Sequence, residues 1–195
     1  MDIYKSTISK EEVASLPLAD FDGTIHVIQA LEEAEKAVAF LKTQTVIGFD
    51  TETKPSFTKG VINEVSLMQF STDTTCFLFR INQLGIPQSL SELFADATVK
   101  KIGLSLKDDF HALNRMKKIQ QANFIDLQNY VKKFKIEENS LAKIYAILFE
   151  KKISKSQRLS NWEADFLTEK QKKYAALDAW ATREIYIELS KQVIE

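Results

Sequence analysis

The 195 residues are 45% hydrophobic and 27% charged, with 26 basic and 27 acidic side chains and a net charge of −1; that length and balance suit one domain with a sizeable core. Five glycines and three prolines exclude collagen-like, linker and low-complexity chains, and one cysteine, Cys76, excludes an internal disulfide, so a reducing cytoplasm is the expected compartment. No apolar run approaches the ~18 residues of a membrane span, and the polar start Met1–Lys10 lacks the apolar core of a signal peptide, so no membrane partner is expected.

Ser9-Lys10-Glu11-Glu12 reads as a capping box opening a short helix through Leu16, and residues 1–23 read as an N-terminal extension to a domain over 24–195. Ile25–Gln29 predicts a strand. Leu31–Lys42 predicts a helix, with Leu31, Ala34, Val38 and Leu41 at helical spacing and acids in the first turn. Val46-Ile47-Gly48-Phe49 is a short apolar run between polar residues, the pattern of a strand buried on both faces. Glu64–Phe70 and Thr75–Ile81 predict a hairpin around the polar turn Ser71–Thr74. A helix over Ser89–Ala95, a strand over Val99–Leu104, a helix over Leu106–Lys117 and a strand over Asn123–Asp126 follow. From Leu127 onward the pattern is helical, most clearly in Leu141–Leu148 and Glu169–Val193. This order predicts an α/β fold: a mixed central sheet flanked by helices, with a helical C-terminal third.

Glycines at 23, 48, 60, 85 and 103 admit neither GxGxxG nor a P-loop, and His26 and His111 stand in no metalloprotease or serine-hydrolase motif. The chemistry-bearing residues are acids. Asp50 and Glu52, two apart at the end of the apolar strand, point the same way because strand side chains alternate. Two such carboxylates repel unless a cation neutralises them, and a divalent oxygen-seeking ion fits; taken alone, a solvated strand end entering a turn at Pro55 is the more economical account of the pair. Ser105 and Asp108 are spaced as a capping box, which leaves Asp109 on the face of Leu106 and Leu113, aimed at packed structure; a helix phase shifted by one residue would make it surface charge. On the last helix an apolar stripe passes through Leu177, Ala181, Ile185 and Leu189, with Tyr174 and Asp178 one turn apart at its edge. A carboxylate bordering a core is costly unless paired, hydrogen-bonded or metal-bound; a Tyr–Asp surface hydrogen bond on an ordinary amphipathic helix fits the same spacing equally.

With the four acids placed, the chain resembles the 3'-5' exonuclease domains of the DEDD superfamily, over about Ile25 to Leu189. Phe49-Asp50-Thr51-Glu52-Thr53 resembles the first exonuclease motif, Ile102-Gly103 through Asp109 and Leu113 the second, and Tyr174-Ala175-Ala176-Leu177-Asp178-Ala179 the third in its tyrosine form, as in the Werner-type and ribonuclease D branch. Leu159-Ser160-Asn161-Trp162 resembles the same branch. The resemblance implies a ribonuclease H-like fold and metal-dependent 3'-5' hydrolysis of nucleic-acid phosphodiester bonds, releasing nucleoside 5'-monophosphates. It implies that Asp50, Glu52, Asp109 and Asp178 hold two Mg²⁺ or Mn²⁺ ions and that Tyr174 orients the attacking water. A non-catalytic nucleic-acid-binding module on the same fold would be expected to lack one or more of these acids; a phosphodiesterase acting on small dinucleotides is a weaker competitor. Ser105 departs from the Asn or Gly that relatives often carry before the second acid.

Thr51, Thr53, Phe57, Ser105, His111 and Arg158 are candidate substrate contacts: Phe57 could stack on a base, and Arg158 with Lys151, Lys152 and Lys155 could follow a phosphate backbone. Strand-end threonine, loop packing, helix surface and a solvated connector account for the same residues. Trp162 and Cys76 are expected in the core. The near-neutral charge is an average, because residues 100–173 carry 17 basic and 9 acidic side chains, a block suited to a nucleic-acid partner.

Overall fold

The computed structural model describes residues 4–192. A six-stranded mixed sheet in the order β1-β4-β3-β2-β5-β6 forms its centre, built from β1 (Thr24–Ile28), β2 (Val46–Thr53), β3 (Val65–Ser71), β4 (Thr75–Phe79), β5 (Lys100–Gly103) and β6 (Phe124–Asp126). Strands β2, β3 and β4 are antiparallel neighbours; β1 joins β4, β5 joins β2 and β6 joins β5 in parallel. The helices are α1 (Lys10–Ser15), α2 (Leu31–Leu41), α3 (Ile81–Leu84), α4 (Gln88–Ala95), α5 (Leu106–Met116), α6 (Leu127–Tyr130), α7 (Leu141–Phe149) and α8 (Glu169–Ser190), with a 3-10 turn over Val131–Phe134. No helix among the described residues is long and apolar enough to cross a membrane.

Alternation along the strands divides the apolar residues between two cores. Ile47, Phe49, Met68, Phe70, Phe77 and Phe79 pack against α2, α4 and α5. Leu67, Cys76, Leu78 and Ile102 pack on the other face against α7 and α8. Strand β2 has a neighbour on each side and a core on each face, which is why Ile47, Gly48 and Phe49 are all buried. Helix α8 crosses this sheet under its own fastenings: the Thr182 hydroxyl donates to the Ile102 carbonyl (2.8 Å), Arg183 Nε to that of Val46 (3.3 Å) and Trp180 Nε1 to that of Asp73 (2.9 Å). A capping box between Thr168 and Gln171 sets its start.

Residues before β1 are bound to the C-terminal half. Ile8, Ala19 and Phe21 are buried, and the backbone bonds Lys152 N–H to Pro17 O and Ala19 N–H to Lys152 O, both 2.9 Å, form a short parallel bridge. The expected α1 capping box is present, with Ser9 and Glu12 bonding each other's backbone N–H.

Three expectations are corrected. Ile81 opens α3 rather than closing a strand; its turn ends at Gly85, whose φ of 68° few other residues tolerate. The helical pattern after Leu127 is interrupted: residues 151–168 form an irregular connector in which short side chains bond local backbone, as Asn161 Oδ1 does with Glu163 N–H at 3.1 Å. Ser105 and Asp108 do not cap α5: Ser105 is left-handed (φ 63°), and the Asp126 carboxylate takes the backbone N–H groups of Ser105 (3.1 Å) and Leu106 (2.9 Å) instead. Helix α8 ends at Ser190, and the expected end at Val193 lies outside the described residues.

Candidate active site

The end of β2 carries Asp50 and Glu52 toward α8, and a register shift between Glu52 and Thr53 ends regular pairing with β3 at that point. Helix α8 lies against this strand because position 48 has no side chain: a Cβ there would stand 1.8 Å from the Ala179 carbonyl oxygen. Asp178, next to Ala179, is thereby set beside the strand acids. One carboxylate oxygen from each of Asp50, Glu52 and Asp178 falls within 4.8 Å of the others. Asp109, on α5, stands outside this three-carboxylate group but close enough for its charge to act on Glu52, and its oxygen accepts the Thr51 hydroxyl. Asp108, one residue earlier, is exposed, so the helix phase selects Asp109.

Among the described residues none of these four acids forms a salt bridge. Burial, and then their neighbours' negative charge, raises the pKa of Asp50, Glu52 and Asp109 well above the ordinary carboxylate range. Burial also raises Asp178, partly offset by a hydrogen bond from the Tyr174 hydroxyl and by the charge of Lys155. The Tyr174 phenol is raised by desolvation and by Asp178, Glu52 and Asp50, so it stays protonated and donates. Arg158 slightly relieves Glu52. Convergent, half-buried, all-oxygen ligands with no cation bonded to them fit a hard divalent ion.

The remaining predicted residues disperse. The Thr51 hydroxyl is committed to Asp109, and Thr53 follows the irregularity in β2. Phe57 is 85% exposed in the loop between β2 and β3. His111 is exposed and lines a surface cavity with Lys107, Asp108 and Phe110, while the Ser105 backbone belongs to the Asp126 cap. Arg158 and Lys155 stand on the connector that leads into α8. Trp162 and Cys76 are fully buried, as expected, the Trp162 ring 6.0 Å from that of Tyr174. Sequence reasoning missed Asp126 and the close approach at Gly48. The spacing Gly48-x-Asp50, a glycine inside a buried strand two residues before an acid, was the available signal for the second.

The strand order, the helical layers on both faces and the acidic cluster at the end of the central strand define a ribonuclease H-like nuclease domain. The chain belongs to the 3'-5' exonuclease family, whose profile matches residues 25–194. It is 31% identical to the mouse bifunctional 3'-5' exonuclease/ATP-dependent helicase WRN over 90% of this chain and 13% of that protein. It is 30% identical to an Arabidopsis thaliana 3'-5' exonuclease over 92% of this chain and 68% of that one. The chain thus spans a small fraction of the helicase-bearing relative. The Aedes aegypti Nibbler EXO domain superimposes over 90% of both chains with a TM-score of 0.76 at 26% identity. Escherichia coli RNase D shares the fold, with a TM-score of 0.74 at 20% identity over 86% of this chain and 46% of that one. So does Trypanosoma brucei RNase D solved in complex with RNA U12, with a TM-score of 0.78 at 17% identity over 96% and 67%.

Proposed function

We propose that the protein removes nucleotides one at a time from the 3' end of a nucleic acid, releasing nucleoside 5'-monophosphates, with Asp50, Glu52, Asp109 and Asp178 holding two Mg²⁺ or Mn²⁺ ions. The observation that carries this reading is the convergence of Asp50, Glu52 and Asp178 within 4.8 Å, with the Tyr174 phenol beside Asp178. Bound ions would supply Lewis acidity, activating a water and offsetting charge at the scissile phosphate. The protein's part is placement. Strand β2 fixes Asp50 and Glu52 on one face, α8 brings Asp178 against them, and Thr51 holds the Asp109 carboxylate in orientation.

Tyr174 keeps its proton next to three acids and can orient a water entering beside Asp178. That is the role of the tyrosine in the tyrosine branch of the superfamily, to which we assign the chain. Arg158 and Lys155, whose charges reach Glu52 and Asp178, are suited to the phosphates of an arriving strand. Exposed Phe57 is suited to stacking on a base, with Thr53, Ser105 and His111 as further candidate contacts. The one cysteine, buried and with its thiol pKa raised by desolvation, supports a reducing compartment such as the cytoplasm.

The test is a 5'-labelled single strand incubated with Mg²⁺ or Mn²⁺. Stepwise shortening that stops with EDTA and is absent from the Asp50→Ala protein is expected, whereas undiminished cleavage by Asp50→Ala protein overturns the assignment. Binding without cleavage by the unaltered protein would make it a nucleic-acid-binding module. Matched DNA and RNA strands in the same assay identify the preferred sugar.

A further inference from the structure

Gln69 is the residue directly opposite Asp50 in the β2–β3 ladder. Opposite residues of an antiparallel pair project to the same face with Cβ atoms about 4.5–5.5 Å apart, so Gln69 stands beside Asp50 on the α8 side of the sheet. Its side chain is completely buried, 0% exposed, and neither Nε2 nor Oε1 has a hydrogen-bond partner. Unpartnered buried amide groups are costly and few in native proteins. A methionine would fill the same space without that cost, so packing alone does not explain a glutamine here.

A second buried polar atom indicates how the amide is oriented. Arg80, one residue beyond β4, is also 0% exposed. Its two terminal nitrogens donate to the carbonyls of Ala164 and Asp165 in the connector, while its Nε has no acceptor. Continuing the register in which Met68 faces Phe79, Arg80 comes opposite Leu67, diagonal to Gln69 and on the same face. Diagonal neighbours are about 7–8 Å apart, within reach of long side chains. Arginine can only donate, an ionised carboxylate can only accept, and an amide does both. The arrangement that satisfies all three turns Gln69 Oε1 toward Arg80 Nε and Gln69 Nε2 toward Asp50.

We propose that Gln69 is a positioning residue for the metal site: through its amide, directly or by one buried water, a hydrogen-bond relay from Arg80 to Asp50 fixes the Asp50 carboxylate as an ion ligand. The inference rests on the proposed function. It adds that the connector, gripped by Arg80, and the ligand on β2 are oriented together. Groups that hydrogen-bond a metal ligand typically affect metal affinity by about 10–100-fold when removed.

The experiment is Mn²⁺ binding by calorimetry or electron paramagnetic resonance, with kcat and KM on a labelled strand, for the unaltered protein, Asp50→Ala and Gln69→Met. Gln69→Met keeps the side-chain volume and is expected to fold, at some cost in melting temperature because the buried Arg80 Nε loses its acceptor. Mn²⁺ affinity should fall by about 10-fold or more and kcat should fall, with KM for the strand unchanged. A purely structural glutamine would move the melting temperature and leave affinity and kcat where they were. Should Gln69→Met fail to fold, the isosteric Gln69→Glu serves: it cannot donate when ionised, and an equal or larger loss of affinity is expected. Affinity and kcat within about twofold of the unaltered protein in either variant overturn the relay. If the unaltered protein and Asp50→Ala bind Mn²⁺ alike, the metal reading itself fails, and the relay with it.

Discussion

Gly48 and Ala179 touch backbone to backbone: a methyl group on Gly48 would lie 1.8 Å from the Ala179 carbonyl oxygen and 2.9 Å from the Thr182 hydroxyl. These are main-chain and locked atoms, so the helix must move to admit it. Gly48→Ala is therefore expected to destabilise the protein by about 2–3 kcal/mol, at the upper end of overpacking costs. It should reduce nuclease activity by more than that loss explains, since Asp178 retreats with the helix. Urea midpoints and activity at a temperature where the variant is fully folded separate the two effects.

Like charges crowded at one place oppose folding when no cation offsets them. Asp50→Asn and Asp178→Asn should each raise the stability of the metal-free protein, by on the order of 1 kcal/mol for each pKa unit of upward shift relieved, while abolishing cleavage. A lower melting temperature in EDTA for both variants would contradict this account of the site.

The sign of the pH dependence follows from the same acids. Their folded pKa values lie above the unfolded ones, so between the two the folded protein holds more protons than the unfolded chain. Metal-free stability must then fall as pH rises from about 4 through the raised values. Bound ions need the deprotonated acids, so Mn²⁺ should stabilise little at about pH 5 and most at about pH 8. Thermal melts in EDTA and in Mn²⁺ across that range provide the check; a metal-free melting temperature that climbs with pH would be the contrary outcome.

Tyr174→Phe removes one hydroxyl and leaves the ring near Trp162 in place. Mn²⁺ should still bind, more weakly because Asp178 loses its phenol neighbour, and kcat should fall by about 10²-fold or more, the usual scale for losing a group that orients or relays a proton. Single-turnover rates measure it, and an unchanged rate would remove Tyr174 from the reaction.

Asp126→Ala uncovers the first N–H groups of α5 and should cost about 0.5–2 kcal/mol. Asp109 sits in the first turn of that helix, so the metal dependence of activity should shift to higher ion concentration. Denaturant midpoints and an Mn²⁺ titration read the two effects.

Much of this architecture was legible because local patterns and tertiary structure agree. The alternation in β2, the cap of α1 and the stripe of α8 each specify one face, and so Asp50, Glu52, Tyr174 and Asp178 could be placed from the sequence alone. The misreadings arose where distant residues intervene. Ser105 looked like a cap, but Asp126, twenty-one positions later, outbids it from the adjoining strand. The pattern after Leu127 reads as broadly helical, yet across residues 151–168 Arg80 and Gln171 hold backbone carbonyls and leave an irregular path. Gln69 appeared as one more strand residue, since nothing in Ser66-Leu67-Met68-Gln69-Phe70 reveals which side chain will stand opposite it.

The bridge between Leu18 and Lys152 gives the first twenty-odd residues a place in the working of the site. Lys152 is gripped twice through its backbone by Pro17 and Ala19, and its side chain reaches the Ala14 carbonyl. Lys155 and Arg158 follow within six residues, on the loop facing the acids. The opening of the chain thus acts as a mooring line for the stretch that would meet the incoming phosphates. A protein shortened to begin at Thr24 should retain its acids yet hold its cations loosely, which would register as a higher KM for the strand before any loss of ion binding.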